Sequence, residues 1–326
     1  WAMNFPLRGY NEALIVYLLA LASPTHPVDA DYYHSGWAGA GYVNGNTWYG
    51  YKLFVGPHFG GPLFFAHYSF MGFDPRNIKD AYANYFDQNR NHTLINRSWC
   101  IDNPFNYEGY GDNCWGLTAS DDPFGYLAHA PGPGTDNGTI TPAAAIPSMP
   151  YTPQESLGAL KHFYRQHGPD LWGEYGFYDA FNLKQDWFAD SYLAIDQGPI
   201  INMIENHRSG LLWSNFMANP EISPALTAAG FVEDPVSTKD EPLIASEWQV
   251  YPTLGNGEFY LQLNQISNHR IPTIAISDLL GRKLAFESQV KGDLLIHIKL
   301  ADNSITSGWF WVTLYDQNHN MGSHPV

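Results

Sequence analysis

The sequence predicts a mainly α-helical fold followed by a small β-sandwich. Up to about residue 230 apolar residues recur at helical spacing, separated by long loops rich in Gly, Pro, Asn and aromatic residues. Beyond residue 247 the pattern changes to short strands broken by Gly, Asn and Asp turns. The intervening residues 231–246 carry charges and prolines without periodicity. We therefore expect a helical domain at 1–230, a linker at 231–246 and a β domain at 247–326.

Several segments of the first domain carry helix signals. Thr152-Pro153-Gln154-Glu155 offers an N-cap, a proline at the first helical position and a glutamate at the third, so a helix begins there and ends near Gly168-Pro169. A second helix begins near Asp196 and continues to Met217. The other predicted helices cover Glu12–Ala22, Pro62–Met71 and Asn77–Arg97. Such helices, joined by aromatic and glycine-rich loops, are typical of an α-helical toroid whose loops form a cleft.

The β domain is predicted from short alternating or apolar runs. Its expected strands are Val250–Tyr251, Gly257–Leu263, Thr273–Ser277, Leu294–Leu300 and Gly308–Leu314. Strands of this length and spacing favour a small β-sandwich.

Charge and hydropathy exclude several classes of function. The chain has 16 Lys and Arg against 32 Asp and Glu, a formal net charge of −16 that repels nucleic acid and anionic lipid. The longest apolar run, residues 13–22, is too short to span a membrane. Aromatic residues make up 16% of the chain and charged residues only 15%, a balance that suits a neutral polymer such as a glycan.

The two cysteines, Cys100 and Cys114, flank the loop sequence CIDNPFNYEGYGDNC. With no histidine pair beside them in zinc-ligand register, they fit a disulfide better than a metal site, and an oxidising compartment would favour that bond. The alternative is a pair of reduced thiols buried in the core. No metal and no organic cofactor is predicted.

The stretch from Trp172 to Arg208 mixes carboxylates with aromatic rings, as a carbohydrate-cleaving cleft requires. Glu174 and Asp179 lie on a glycine-containing loop beside Tyr175 and Tyr178, where desolvation would raise a carboxyl pKa and suit it to general-acid catalysis. A packed turn with capping carboxylates is the alternative. Further along, Asp196 and Glu205 are sugar-binding candidates, but the first could merely cap a helix and the second could pair with Arg208.

Other candidates are spread along the first domain. Arg8 and Glu12 precede an apolar helix, where a glutamate often serves only the helix dipole. Trp37 opens a Gly- and aromatic-rich loop that suits the wall of a sugar subsite. His92 lies in the polar run FDQNRNHT, which could face solvent or substrate equally well. Trp115 precedes Asp121 on a probable loop, so both are candidates for binding sugar, although paired aspartates commonly form turns.

Blocks of the first domain resemble the glucoamylase-like family that includes glycoside hydrolase family 144, the endo-β-1,2-glucanases. The matching blocks, which span nearly all of residues 1–217, are RGYNEALIVY, SPTHP, GGPLFFAHYSFMGFDPR, QNRNHTLINR, CIDNP, NCWGLTASD, PYTPQES, LWGEYGFYDAFN and DQGPIINMIENHRSGLLW. The resemblance implies an (α/α)6 barrel and inverting hydrolysis of internal β-1,2-glucosidic bonds. It makes Glu12 the leading general acid, with Glu174, Asp179 and Asp196 as residues that bind sugar or position water.

One departure from that family concerns the start of the chain. Family members carry an acidic cluster of the form DDGGDLVET on helices that would precede Trp1. The sequence therefore predicts a partial barrel whose N-terminal helices are missing. Such a barrel would leave apolar faces uncovered and the cleft open to water, lowering the stability or activity of the fragment.

The β domain resembles the type IX secretion sorting domain of Bacteroidetes. VYPTLGNGEFYLQL, IAISDLLGRKL and SGWFWVTL occur in the expected order between residues 247 and 314, although the last residues, NHNMGSHPV, depart from the usual basic end. The resemblance implies a type IX secretion partner and a secreted, cell-surface or periplasmic protein of a Gram-negative bacterium. An immunoglobulin-like accessory module is the alternative.

Taken together, the sequence predicts an exported glycoside hydrolase that cleaves β-1,2-glucan internally. Its partner would be a polysaccharide or oligosaccharide substrate. Hydrolysis of another glucan, or glycan binding without catalysis, is the alternative, because aromatic loops can bind sugars without cleaving them.

Overall fold

A computed structural model describes residues 7, 11–37, 46–234, 248–251, 258–263, 273–278, 282–292, 295–301, 310–316 and 319–325. The chain divides into two compact units, Trp1–Val236 and Ser237–Val326. The described part of the first unit combines helices with short antiparallel strand pairs, and that of the second consists of antiparallel strands. The fold is therefore mixed rather than mainly α.

The α-helices that the structure describes all lie in the first unit. They are α1 Leu14–Leu21, α2 Tyr85–Asp102, α3 Pro142–Ala145, α4 Pro153–Leu171, α5 Ala194–Ser209, α6 Leu211–Met217 and α7 Ile222–Ala228. Single tighter turns at Asn11–Ala13, His58–Gly60, Leu63–Ala66, Ser69–Met71 and Leu183–Gln185 and a wider one at Tyr33–Trp37 connect them. None of the described helices has the length and apolarity of a bilayer-spanning segment.

Local capping explains where two helices depart from their predicted bounds. The helix predicted from Asn77 begins only at Tyr85, because the Asn84 side chain accepts hydrogen bonds from the Phe86 and Asp87 N–H groups at 3.0 and 3.2 Å. The helix predicted from Asp196 to Met217 is interrupted at Gly210, whose φ of 67° only glycine adopts readily. The segment predicted to be helical at Pro62–Met71 forms two single turns instead.

Short strands of the first unit pair as antiparallel hairpins or bridges. They are β1 Thr47–Trp48, β2 Tyr51–Lys52, β3 Ile78–Lys79, β4 Ala119–Asp122, β5 Gly125–Ala128, β6 Trp172–Gly173, β7 Gly176–Phe177, β8 Phe181–Asn182, β9 Trp187–Phe188 and β10 Val232–Glu233. β10 pairs with β3, and Phe231 beside it is buried. The first residues of the predicted 231–246 linker therefore belong to the first unit, while residues 235–246 lie outside the described part.

The polar face of α2 points into the core rather than toward solvent or a cleft. The Gln88 side chain bonds the backbone of Phe54 and Val55, and the Asn96 side chain bonds both backbone groups of Leu117. Each buried amide thus satisfies loop backbone that would otherwise lose its hydrogen bonds on burial. The FDQNRNHT run therefore lacks an apolar face, since the helix anchors irregular loops through its polar side chains.

The second unit contains two antiparallel sheets that share one core. Its described strands are β11 Trp248–Tyr251, β12 Glu258–Leu263, β13 Thr273–Asp278, β14 Phe286–Gly292, β15 Leu295–Leu300, β16 Phe310–Asp316 and β17 His319–Pro325. The strand orders are β11-β12-β15-β14 and β13-β16-β17. Phe259 and Ile298 of the first sheet share a hydrophobic cluster with Ile276 and Val312 of the second, as in a β-sandwich. The predicted strands are present, and β14 and β17 were not predicted.

The predicted disulfide between Cys100 and Cys114 is wrong for this structure. Both thiols are free and buried in the same hydrophobic cluster, where they pack as small apolar groups. Burial raises the pKa of Cys100 well above its ordinary value and that of Cys114 to about 12, so both are protonated at neutral pH. The alternative of reduced, buried thiols is the one that the structure shows.

Candidate active site

Three aspartates from separate elements converge in the first unit. Asp121 lies on β4, Asp179 lies between β7 and β8, and Asp196 lies in the first turn of α5. The Asp121 N–H donates to Asp179 Oδ2 at 2.7 Å, and the Ser191 hydroxyl donates to Asp121 Oδ2 at 2.6 Å. The Asp179 N–H donates to the Ser191 carbonyl at 3.2 Å, which closes the ring of contacts. These hydrogen bonds thus join the segments around Asp121, Asp179 and Ser191, which are distant in sequence, at one group of carboxylates.

Two tyrosine hydroxyls hold the carboxylate of Asp196. Tyr126 on β5 lies 3.3 Å from both carboxylate oxygens, and Tyr68 lies 3.5 Å from Oδ1. A hydroxyl can donate only one proton, so each tyrosine satisfies one lone pair at most. Asp196 is therefore more than a helix cap, since its side chain makes these hydrogen bonds across the cluster instead of bonding its own helix.

The protonation of Asp179 and Asp196 is coupled. Burial raises the pKa of Asp179 to about 7, and the negative charges of Asp196 and Asp121 act in the same direction. The hydrogen bond from the Asp121 N–H opposes this rise. Burial also raises the pKa of Asp196 to about 6, although the hydrogen bonds from Tyr126 and Tyr68 oppose it. The two carboxyls lie close enough to affect each other's pKa, so their protonation is a property of the pair rather than of either residue.

Asp179 has one buried oxygen that nothing in the described part of the chain satisfies. Its Oδ1 accepts no hydrogen bond, although the residue is 0% exposed. An ionised carboxylate left in that state would be costly, and a protonated one can donate to Asp196 instead. The cluster therefore carries a proton at near-neutral pH, a property that acid and base catalysis uses.

Glu12 lies near Tyr68, one of the tyrosines of this group, although it comes from the start of the first unit's sequence. It lies in the Asn11–Ala13 turn, half-buried, and burial raises its pKa. Burial raises the pKa of Tyr68 most strongly. The negative charge of Asp196 raises it further, and that of Glu12 does so less strongly. Tyr68 thus feels both carboxylates and lies near each of them. The turn is held there by buried Ser69, whose hydroxyl bonds the Asn11 and Glu12 carbonyls and accepts the Ile15 N–H.

Three tyrosines pack together around the β6–β7 hairpin: Tyr175 lies in its turn, Tyr178 directly follows β7, and Tyr192 follows β9. Tyr192 packs against Tyr178 at 4.9 Å and against Tyr175 at 5.4 Å between ring centroids. Gly173 has no room for a side chain, because a Cβ there would lie 2.1 Å from the Tyr192 hydroxyl and 2.6 Å from that of Tyr178. The glycine therefore lets the tyrosines close over the hairpin, and Tyr175 remains 74% exposed as a flat apolar face.

Two predicted carboxylates do not join the cluster through any contact of the described residues. Glu174 lies exposed at the turn of the β6–β7 hairpin. Glu205 accepts hydrogen bonds from the Arg208 side chain at 3.0 Å and the Ser209 hydroxyl at 2.6 Å, both on its own helix. These contacts lower the pKa of Glu205 and match the helical ion pair given as its alternative. Neither residue shares the protonation coupling of Asp179 and Asp196.

The predictions that His92 and Trp115 bind sugar are corrected by their burial. His92 is 1% exposed, its Nε2 lies 3.0 Å from the Gly61 carbonyl oxygen, and burial lowers its pKa to about 4. Trp115 is 0% exposed within the core cluster that also contains the cysteines. Neither side chain can contact a saccharide where it lies, because each is packed against protein on all sides. Arg8 and the side chain of Trp37 lie outside the described residues.

Sequence reasoning missed the polar side chains that organise the cluster. Tyr68, Tyr126 and Ser191 carry no charge and match no spacing rule that would single them out. The one available signal for Tyr126 was the hairpin sequence DDPFG, which places it directly across the strand pair from Asp121. The register Asp121↔Tyr126 follows once that hairpin is recognised.

Comparison with known proteins supports a carbohydrate-active site. Residues 4–220 match the protein family described as Putative glucoamylase. An exo β-1,2-glucooligosaccharide sophorohydrolase (non-reducing end) from Parabacteroides distasonis is 45% identical over 244 residues, which cover 69% of this chain and 34% of that protein. The chain is thus homologous to proteins named for β-1,2-glucan hydrolysis.

Two solved structures align with the same part of the chain. An endo-β-1,2-glucanase from Chitinophaga pinensis, in complex with sophorotriose and glucose, is 52% identical with a TM-score of 0.69. A protein from Bacteroides uniformis described as a putative glucoamylase is 57% identical with a TM-score of 0.69. Each covers 72% of this chain, and the chain spans 57% of the length of each.

Proposed function

The chain belongs to the Putative glucoamylase family, and from that premise we propose that it is a glycoside hydrolase acting on β-1,2-glucan with inversion at the anomeric carbon. The observation that carries the proposal is the convergence of Asp121, Asp179 and Asp196 with Tyr68, which in turn lies near Glu12. The substrate class is supported by relatives named for exo and endo cleavage of β-1,2-linked glucans. Internal cleavage is favoured because the endo-acting relative is the more similar, at 52% against 45% identity.

Glu12 is proposed as the general acid. Its half-buried position raises its pKa, which favours the protonated form that a general acid needs. In the bond-breaking step its proton passes to the leaving glycosidic oxygen while the bond between that oxygen and the anomeric carbon breaks. Glu12 is left as a carboxylate and regains a proton from solvent.

Asp196 is proposed as the general base. Its carboxylate would accept a proton from a water whose oxygen attacks the anomeric carbon from the opposite face of the ring. Asp179 affects the pKa of Asp196, and we propose that it positions that carboxylate rather than replacing it. An inverting site of this kind needs the acid and base carboxyls roughly 6.5–9.5 Å apart to admit the water.

The tyrosines of the β6–β7 hairpin are proposed to bind sugar rings. The exposed face of Tyr175 offers a flat apolar surface on which the apolar face of a glucose residue can stack. Tyr192 packs against both the Tyr175 ring and Tyr178, so these two neighbours fix the orientation of the Tyr175 ring. This arrangement orders the platform before the ligand arrives, which lowers the entropic cost of binding.

The test is turnover of purified chain on a panel of polysaccharides, scored by reducing ends and product length. We expect products from β-1,2-glucan and a loss of kcat of roughly 10²–10⁴-fold in Glu12→Gln, the usual contribution of a general acid. Glu108→Gln is the matched control, because Glu108 is exposed and lies outside the cluster. Normal turnover by Glu12→Gln would refute its role, and cleavage of a different glucan alone would refute the substrate.

Glycan binding without cleavage is the second candidate function. It is favoured by the exposed aromatic rings of Tyr175 and Phe124, each 74% exposed. Retention of the chain on immobilised β-1,2-glucan, with no product from wild-type protein, would support this candidate. Product formation by wild-type protein would exclude it.

The helices of the first unit are proposed to belong to an (α/α)6 barrel, with the aspartate cluster at one end. The support is the alignment with solved relatives at a TM-score of 0.69. A crystal structure of the chain in which α2, α4 and α5 do not alternate as inner and outer helices of one ring would contradict this arrangement.

The second unit is proposed to direct export through a type IX secretion system. Its β-sandwich places the three sorting-like sequence blocks on β11 with β12, on β13 and on β16. Expression in a Bacteroidetes host should deliver the full chain to the cell surface or medium. Deletion of residues 237–326 should retain it inside the cell, and export of the deleted form would refute the proposal.

A further inference from the structure

We propose that Cys114, His162 and His167 form a binding site for a borderline-soft divalent cation of the zinc type. One donor atom from each residue, the cysteine sulfur and one ring nitrogen of each histidine, lies within 4.8 Å of the other two. A tetrahedral zinc site with bonds of about 2.3 Å to sulfur and 2.0 Å to nitrogen brings its donors to roughly 3.3–3.6 Å from one another. Small side-chain rotations close that gap without moving the backbone.

The backbone on both sides of the site is well fixed. Gly111 and Cys114 exchange backbone hydrogen bonds at 3.0 and 3.3 Å, so the backbone of Cys114 is held while its sulfur stays free for a ligand. His162 and His167 both lie on α4, with ring centroids 5.5 Å apart. The loop and the helix are in close contact there, since a Cβ on Gly158 would lie 2.5 Å from Asn113 Oδ1. The donors therefore meet on two rigid supports, as metal sites require.

The donor chemistry of the three side chains suits a metal. A neutral imidazole offers the lone pair of one ring nitrogen to a cation. The Cys114 thiol would bind as the thiolate, so coordination releases one proton. A sulfur and two imidazole nitrogens are a donor set that zinc and copper prefer over magnesium or calcium.

Neighbouring charges and rings complete the surroundings. Asp112 lies near His162 and Asp170 near His167, and each carboxylate acts on the imidazole as a negative charge. Both carboxylates lie outside the close group of three donors, so we expect a water in the fourth position. Arg97 donates to the backbone carbonyl of Asp112 at 3.0 Å and brings one positive charge to the same side. The ring of His167 packs against Phe181 at 5.0 Å, which shields one side of the site from water.

Occupation of this site would tie the loop that ends at Cys114 to the C-terminal half of α4. That helix leads directly into the hairpin before Asp179, and Phe181 beside His167 lies two residues after Asp179. A bound cation would therefore rigidify the support of the aspartate cluster without touching a substrate. Its expected effect is on stability, independent of whether the chain hydrolyses glucan.

The test is cobalt and zinc binding by the full chain after removal of metal with a chelator and under reducing conditions. Co²⁺ should bind with one-to-one stoichiometry and show thiolate-to-cobalt charge-transfer absorption, and Zn²⁺ should displace it and raise the melting temperature. Cys114→Ser should abolish the absorption band. His162→Gln and His167→Gln should weaken binding by about 100-fold, at least the loss that removal of a ligand's supporting partner causes.

Matched controls separate a lost ligand from a damaged fold. Cys100→Ser removes the other buried thiol, and His207→Gln changes an exposed histidine outside the set, so both should keep the absorption band. Circular dichroism melts without metal establish that each variant is folded. Absence of cobalt binding to reduced wild-type chain, or a band that survives Cys114→Ser, would overturn the proposal.

Discussion

Asp80 and Asp179 are both buried aspartates of the first unit, but their surroundings differ in kind. Asp80 accepts hydrogen bonds from the Tyr33 and Tyr85 hydroxyls at 2.5 and 2.8 Å and from two backbone N–H groups at 2.8 and 2.9 Å. Asp179 accepts one backbone N–H, leaves its other oxygen without a donor and lies against Asp196. Both carboxylate oxygens of Asp80 accept hydrogen bonds, whereas one carboxylate oxygen of Asp179 accepts none.

This difference shows that burial alone does not identify a functional carboxylate. A buried carboxylate surrounded by donors is a structural anchor, because its ionised form is the one that the protein stabilises. A buried carboxylate beside another carboxylate must share a proton, so its titration moves toward neutral pH. The crowding of like charge around Asp179, rather than its depth, marks the candidate site.

The largest expected contrast comes from the same substitution at the two positions. Asp80→Asn should destabilise the chain by about 3 kcal/mol, because an amide nitrogen would face donors that need an acceptor. At about pH 4, where the wild-type carboxyl is protonated in the folded chain, Asp179→Asn should change stability by less than about 0.5 kcal/mol, since its amide can still accept from Asp121 and donate to Asp196. Its activity on β-1,2-glucan should nevertheless fall about 100-fold.

Urea denaturation and initial rates, measured on both variants, check this crossed pattern. Equal destabilisation by the two substitutions would show that Asp179 is a structural residue like Asp80. An unchanged rate in Asp179→Asn would remove it from the catalytic group.

The pH dependence of stability should sharpen the contrast at Asp179. In the folded chain burial raises its pKa to about 7, whereas in the unfolded chain it titrates near 3.9, so folding favours the protonated form. Its contribution to stability is therefore fully present below about pH 4 and is lost as pH rises through 7. We expect the unfolding free energy of wild type to fall by about 3 kcal/mol between about pH 4 and pH 7 relative to Asp179→Asn. Parallel pH curves for the two proteins would contradict the raised pKa.

A smaller effect is expected from the tyrosine that supports Asp196. The Tyr126 hydroxyl lowers the pKa of Asp196, so Tyr126→Phe should shift the acidic limb of the rate profile to higher pH and reduce kcat/KM about tenfold. Tyr110→Phe is the matched control, because Tyr110 donates to Asp136 outside the cluster at 2.7 Å. Kinetic pH profiles of both variants provide the measurement, and a shift of equal size in the control would argue against a specific role.

The smallest effect is expected at the exposed ring. Tyr175→Ala should raise KM about fivefold with little change in kcat, since an aromatic stacking contact contributes on the order of 1 kcal/mol. Tyr32→Ala removes another exposed tyrosine, 61% accessible, and should leave KM unchanged. A change in kcat alone would show that Tyr175 does not bind substrate in the ground state.

Periodicity and capping signals predicted the parts of the fold that depend on local sequence. The start of α4 at Pro153, the apolar helix after Glu12 and five strands of the β-sandwich follow such rules and are present. The Thr152 side chain, however, makes no capping hydrogen bond. The break at Gly210 was missed because a glycine inside a helical pattern does not show whether its φ will be positive. The sequence predicts one helix over the turns at Leu63–Ala66 and Ser69–Met71 because their apolar residues recur at similar intervals.

The candidate site was predicted in its residue types but not in its contacts. Asp179 and Asp196 were recognised because carboxylates lie among aromatic residues there, a signal of local composition. Their link to Asp121 depends on a backbone N–H, which no side-chain pattern reveals. His92 was misassigned because a polar residue in a helix can face solvent, substrate or buried backbone, and only the packing of Gly61 decides among them.

The buried hydroxyl of Ser69 couples two parts of the chain that are more than fifty residues apart. Since it holds the backbone of Glu12 and is adjacent in sequence to Tyr68, the proposed proton donor and the tyrosine are expected to move together whenever that turn shifts. A substitution of Ser69 is thus expected to move Glu12 and Tyr68 together. It would change the pH optimum without replacing any ionisable group.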